Sequence, residues 1–300
     1  ESPTARWIGK SSAGSAIFSW DRYFSPGERV VGLRPKLIAT DLDGTIVAHY
    51  GVISDRTKAV FRKAHDLGIH IYFVTGRPPR WMPEIKEAFG FGNGICGNGA
   101  MLFDIQNQKI IEQWLIPVSN QIEMVKRLRE AIPPISFACE ISNAFHREIK
   151  YVPRWDVGVD NVGVEKIESA MTEPMMKILA RCSDYEFTSD EMLEIAQKTV
   201  GDLVTITHSN ANESLLEISA LGVSKGETLA KVAERLGLTA DDCVAFGDNP
   251  NDFSMLQWAG RSWAMADGHP DAKKYAKFET APHQDDGVAI VLEELLELPA

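Results

Sequence analysis

The 300-residue chain is poor in cysteine, with only Cys96, Cys139, Cys182 and Cys243. They are far apart, form no CxxC pair and join no His at zinc-finger spacing. This excludes a disulfide framework and a structural zinc site, and free thiols in a reducing compartment are expected. Long apolar runs are also missing. No stretch approaches the ~20 residues of a membrane span, and no short apolar run follows a basic N-terminal cluster, so the sequence predicts a cytoplasmic protein with no membrane partner. Basic residues are outnumbered, 31 Lys+Arg against 42 Asp+Glu, for a formal charge of -11. Such a chain repels a phosphate backbone, so nucleic acid is not expected as a partner, although a local pocket for one small anion remains compatible with that charge. With 23 Gly and 15 Pro among 44% hydrophobic residues, the chain is neither collagen-like nor disordered, and its length suits about two domains.

Residues 1–35 are irregular but carry Trp20, Tyr23 and Phe24, too aromatic for a free linker, and read as an arm packed on the body, with an organelle transit peptide as the alternative. From Lys36 the pattern is regular. Leu37 to Thr40 is a short apolar strand that ends in Asp41-Leu-Asp-Gly-Thr45. Ser54 caps a helix with apolar Val60, Phe61, Ala64 and Leu67, Gly68 supplies a left-handed stop, and Ile69 to Val74 is the next strand. The resulting βαβ unit makes its strands parallel, with ligands expected beyond their C-terminal ends, where Asp41 and Thr75 lie. The alternation returns with a helix from Ser224 to Leu236 and a strand from Cys243 to Phe246, which runs into Gly247-Asp-Asn-Pro-Asn-Asp252. Between them, residues 117–212 carry helix patterns (Gln121 to Ala131, Glu191 to Thr199) and strand patterns (Ile135 to Ala138, Lys177 to Arg181, Leu203 to Thr207). The expected fold is α/β, a Rossmann-like doubly wound parallel sheet formed by 36–116 and 213–300, with an α/β domain inserted at 117–212.

Asp41 and Asp43 flank one residue, so strand geometry carried into the turn points both carboxylates to one side. At about 4 Å and an effective dielectric of 20 they repel by roughly 4 kcal/mol, so a cation or proton must sit between them. Asp248 and Asp252, delivered to the same edge, deepen the excess. Hard oxygen donors without Cys or spaced His point to Mg²⁺, which accepts a few carboxylates together with a substrate phosphate. Thr75, Arg77 and Lys225 suit the anion, and Ser224-Lys-Gly-Glu227 reads as a capping box that aims a helix N-terminus at it. Gly92-Asn-Gly-Ile-Cys-Gly97 fits GxGxxG but follows a helix pattern and reads as turn chemistry rather than a dinucleotide site. Asn212-Glu-Ser214 fits a glycosylation sequon that a cytosolic chain would not use, and Cys182, His146 and His208 read as packing or surface residues.

Asp41-Leu-Asp-Gly-Thr45, Thr75-Gly-Arg77, Lys225 and Gly247-Asp-Asn-Pro-Asn-Asp252 together resemble, in order, the four motifs of haloacid dehalogenase-like phosphatases. The resemblance is strongest to the Cof-like branch, with a large α/β cap between the second and third motifs. Cys96-Gly-Asn-Gly-Ala100, Met255-Leu256, Ala264-Met265 and Asp286-Gly-Val-Ala289 also look like that branch. It spans Lys36 to about Leu296, and Asn249-Pro250 departs from the Gly-rich pair frequent there. The resemblance implies that Asp41 attacks phosphorus and Asp43 serves as acid and base. It assigns Mg²⁺ to Asp41, the carbonyl of Asp43, Asp248 and Asp252. It places Thr75, Lys225, Gly44, Thr45, Gly76, Arg77, Asn98 and Asn251 around the phosphoryl group or substrate. The cap is expected to close over the cleft, with Arg147, Lys150, Arg154 and Arg181 as candidate anion contacts. The expected substrate is a small phosphorylated metabolite, most simply a sugar phosphate. A phosphomutase of the same superfamily and a noncatalytic phosphometabolite sensor stay open as alternatives.

Overall fold

In the computed structural model the described residues are 32–47, 51–141, 144–153, 160–184, 186–297 and 299. Residues 1–31 of the expected arm, and Arg154, lie outside them. The elements in chain order begin with β1 (Leu37–Thr40), α1 (Asp55–Asp66), β2 (His70–Val74), α2 (Pro83–Phe89), β3 (Asn93–Cys96), β4 (Met101–Asp104) and β5 (Lys109–Gln113). Then come α3 (Val118–Ala131), β6 (Ser136–Ile141), β7 (Ala144–Glu148), β8 (Asp160–Val164), β9 (Ile178–Arg181), α4 (Ser189–Val200), β10 (Val204–Thr207) and β11 (Leu215–Ala220). The chain closes with α5 (Lys225–Arg235), β12 (Cys243–Gly247), α6 (Phe253–Trp258), β13 (Arg261–Met265), α7 (Ala272–Tyr275), β14 (Phe278–Thr280) and α8 (Gly287–Leu295).

The larger sheet has the order β14-β13-β12-β1-β2-β3-β4-β5. It is parallel from β14 through β3, and β4 and β5 add an antiparallel hairpin. Successive side chains in a strand face opposite sides, and both faces of this sheet are apolar and covered. Ile38, Phe73, Phe246 and Trp263 pack beneath α1, α2 and α8. Leu37, Ala39, Tyr72 and Val74 face Leu229 and Val232 of α5 and Met255 and Leu256 of α6. The sheet is doubly wound as the sequence predicts. α1 begins at Ser54, whose side chain accepts from the Thr57 N–H, and the chain leaves it through Gly68 at φ 79°.

The second sheet has the order β10-β11-β9-β6-β7-β8. Its membership shifts the expected return to the core from residue 213 to beyond Ala220, because β11 pairs with β9 and β10. Leu215 to Ala220 is a fully buried strand, and that apolar run alone does not tell which sheet it joins. α3 and α4 cover one face of this cap sheet, packing Met124, Leu128, Met192 and Ala196 on Phe137, Ile178, Leu216 and Ile218. The alternate residues, including Glu140, Leu179, Leu215 and Glu217, line a cavity of about 670 Å³ with the core on its far side. Two further expectations change. The glycine run 92–97 contains parallel strand β3 rather than only a turn. Ser224 caps α5 by accepting from the Glu227 N–H, without the reciprocal half of a capping box.

Candidate active site

Strand β1 delivers Asp41 to the sheet edge, where its N–H donates to the Phe246 carbonyl of β12. Lys225, the first residue of α5, is fully buried, and its Nζ donates to Asp41 Oδ1 and Asp252 Oδ1, both at 2.6 Å. α5 can come this close because Gly226 has no side chain: a Cβ there would lie 2.4 Å from the Ser254 carbonyl carbon and oxygen. Asp41, Asp248 and Asp252 are all buried and present oxygens within 4.8 Å of one another. At that separation and an effective dielectric of 20, two carboxylates repel by roughly 3–4 kcal/mol. A single ammonium leaves the cluster short of positive charge. Burial, followed by the charge of Asp252, pushes Asp41 up to about 7 despite Lys225. Burial and the charges of Asp41 and Asp252 raise Asp248 as well. Burial opposes the charge on Lys225, but the two carboxylates outweigh it and hold the ammonium protonated.

The four acids occupy different positions. Asp248 accepts from Thr45 Oγ1 at 3.0 Å and from Asn249 Nδ2 at 2.5 Å, with no cation in contact among the described residues. Gly44, at φ 84°, allows this approach, since a Cβ would sit 2.5 Å from Asp248 Oδ2. Asp252 is committed on both oxygens, one to Lys225 and the other to the N–H groups of Asp248 and Asn249 at 3.0 Å. Asp43 is exposed and gripped by Arg77 through a two-bond fork, Nε to Oδ2 at 2.8 Å and Nη2 to Oδ1 at 2.6 Å. Arg77 also pairs with Glu84. The oxygen-only set, with its unneutralised charge centred on Asp41 and Asp248, fits a small hard divalent cation.

The remaining predicted residues divide between cavity and support. Thr75 is buried, its Oγ1 accepting from the Arg77 N–H at 3.0 Å. Gly76 and Asn251 line the cavity. Asn98, in the left-handed region at φ 57°, is buried and bonded through both ends of its amide. It accepts from Asn251 Nδ2 at 3.2 Å and donates to Glu217 Oε2 at 2.5 Å. Thr45 and Asn98 therefore brace other side chains, whereas both were expected around the phosphoryl group or substrate. Asn251 Oδ1 is buried without a hydrogen-bond partner.

Of the expected cap cations, Arg147, Lys150 and Arg181 do not line the cavity. Arg147 donates to the carbonyls of Glu148, Ile149 and Tyr151, and Lys150 is exposed. Arg181 is fully buried over the Tyr151 ring, donating to the Val152 carbonyl at 3.0 Å and pairing with Glu213 at 3.3 Å. Sequence reasoning missed a bridge across the cavity. Lys177 donates to the Gly76 carbonyl at 2.7 Å and to Glu217 Oε2 at 3.2 Å, while Ser209 donates to Glu217 Oε1 at 2.7 Å. Burial favours the neutral acid at Glu217, but the Lys177 charge and hydrogen bonds from Ser209 and Asn98 hold its carboxyl below the usual range. The available signal was a charged residue inside an otherwise apolar strand, Leu-Leu-Glu-Ile, since burial of such a residue demands partners.

The model of haloacid dehalogenase-like hydrolases matches residues 38–292. The 5-amino-6-(5-phospho-D-ribitylamino)uracil phosphatase YcsE of Bacillus subtilis is 27% identical over 255 residues, covering 85% of this chain and 93% of its own. Among solved structures, SMU.1108c from Streptococcus mutans superposes with a TM-score of 0.74 at 21% identity, covering 87% of this chain and 99% of that one. The subclass IIB sugar phosphatase BT4131 gives a TM-score of 0.70 at 21% identity, covering 86% and 98%. With the Asp41–Lys225–Asp252 cluster at the strand ends and the cap sheet above it, the chain belongs to the haloacid dehalogenase-like hydrolases and is a phosphatase of the Cof-like branch.

Proposed function

We propose that the protein hydrolyses the phosphomonoester of a small sugar or sugar-alcohol metabolite through a phosphoryl group carried on Asp41. The observation that carries this reading is the Lys225 bridge at 2.6 Å to both Asp41 and Asp252, which fixes the Asp41 carboxyl at the edge of the cavity beneath the cap sheet. The names of the two similar proteins, one for a phosphoribityl compound and one for a sugar phosphate, favour that substrate class.

In the first step the Asp41 carboxylate forms a bond to phosphorus while the bond to the leaving alcohol oxygen breaks, and Asp43 gives that oxygen its proton. Asp43 must leave its Arg77 fork to do so. In the second step Asp43 takes a proton from water, the water oxygen attacks phosphorus, and Asp41 departs with the release of inorganic phosphate. Lys225 and the Thr75 hydroxyl offset charge on the phosphoryl oxygens. The donor set fits Mg²⁺, which Asp41, Asp248 and the main-chain carbonyl of Asp43 would hold, with Asp252 supporting the loop; the ion would supply positive charge that offsets the phosphoryl oxygens.

The test is a single-turnover assay for inorganic phosphate on a panel of sugar and polyol phosphates. Asp41→Asn is expected to lower phosphate release at least about 10³-fold while retaining the fold by circular dichroism, in keeping with the loss of a covalent nucleophile. Unchanged release by that variant would remove Asp41 from the role. Return of the phosphoryl group to substrate without free phosphate would identify a mutase.

A further inference from the structure

We infer that the cap side of the cavity admits an uncharged or positively charged leaving group and rejects one bearing a second anion, and that the Arg80–Glu140 pair sets this selectivity. The inference rests on the phosphatase reading and names the substrate class within it.

Strand alternation selects the groups that face the substrate. β6 turns Phe137 and Cys139 into the cap core and Glu140 to the cavity; β9 buries Ile178 and presents Leu179; β11 buries Leu216 and Ile218 and presents Leu215 and Glu217. The roof is therefore apolar surface interrupted by carboxylates. Among the described residues, the cavity lining carries six carboxylates and three cations, and every one of those cations already has an acidic partner. Arg77 is held by Asp43 and Glu84, Lys177 by Glu217, and Arg80, stacked beside Trp81, by Glu140 across the cavity. Lys225 and the carboxylate cluster serve the transferring phosphoryl group at the opposite end. A second phosphate or carboxylate on the leaving group would meet Glu140 and Glu213 with no uncommitted cation among these residues to receive it. Like charges about 4 Å apart repel by roughly 1 kcal/mol in water and about 4 kcal/mol at an effective dielectric of 20, enough to decide selectivity, whereas hydroxyls can bond to Ser209, Asn210 and Asn249 without that penalty.

The experiment compares kcat/KM for D-glucitol 6-phosphate and 6-phosphogluconate, which differ by one carboxylate in place of a terminal CH₂OH. The wild-type protein is expected to prefer the neutral compound at least about ten-fold. Glu140→Gln, which frees Arg80, is expected to raise the ratio of kcat/KM for 6-phosphogluconate to that for D-glucitol 6-phosphate about ten-fold. Equal wild-type rates on the pair, a preference for the acid, or an unchanged ratio in Glu140→Gln overturns the inference. So does turnover of p-nitrophenyl phosphate with neither six-carbon compound hydrolysed. Absence of phosphate release from all three compounds instead overturns the phosphatase reading. The wild-type comparison stands even if the variant fails to fold.

Discussion

Asp43 and Arg77 hold one another in a planar fork, and the same arginine reaches Glu84. That geometry stores Asp43 in one orientation instead of leaving an exposed carboxylate to sample its rotamers. Because Asp43 must leave this fork to pass its proton, Arg77→Ala is expected to raise kcat by up to about ten-fold while moving KM less than about two-fold, as measured by steady-state phosphate release. Lys225→Met has a different signature. Among the described residues it strips the only cation in contact with Asp41 and Asp252, so it should abolish turnover and cost on the order of 3–5 kcal/mol in urea unfolding, the usual penalty for leaving buried charge uncompensated. These residues were legible in the sequence because each ends a strand or starts a helix. Their side-chain partners were not: Asn98 meets Glu217 across 119 positions and Thr45 meets Asp248 across 203, contacts that only folding creates.

β11 is a strand with two obligations. Its even-numbered residues fill the cap core, and Glu217 on the other face ties Lys177 and Asn98 together. Glu217→Ala is expected to destabilise the protein by about 3 kcal/mol, and a double-mutant cycle with Lys177→Met should return a coupling above about 1 kcal/mol. Additive effects would mean that the bridge carries no energy of its own. The turn entering β12 offers a pH-dependent counterpart. The Thr239 N–H, followed by Lys36, holds the Asp242 carboxyl down to about 2, against an ordinary value of 3.8. Its contribution is complete above about pH 4 and is lost as pH falls through about 2, so Asp242→Asn should flatten that part of the stability profile in denaturant titrations. The capped helix α1 and the run Leu37 to Thr40 were readable from periodicity and Ser54 alone. β11 was not assignable, since an apolar strand fits either sheet and its neighbours are chosen by tertiary pairing.

The acidic cluster connects the halves of the core, with Asp41 coming from β1 and Asp248 from the end of β12. Chelator-stripped protein should melt on the order of 5 °C lower than protein at a hundred-fold excess of Mg²⁺ over Kd, following binding linkage. Asp248→Asn removes one of the repelling charges, so in chelator it should melt above the wild type and respond weakly to the ion; scanning calorimetry reads both. The doubly wound sheet was foreseeable from alternating patterns, but not the cap's acidic roof, because Arg147 and Arg181 turn to backbone carbonyls of the cap. The sheet order also has a bearing on biosynthesis. The cap sheet has all its strands once residue 220 has been translated, whereas β1 lacks its β12 neighbour until residue 247 has emerged. On the ribosome the inserted domain can thus close first, while the catalytic half waits as an unfinished sheet edge, the interval in which a nascent chain most needs a chaperone.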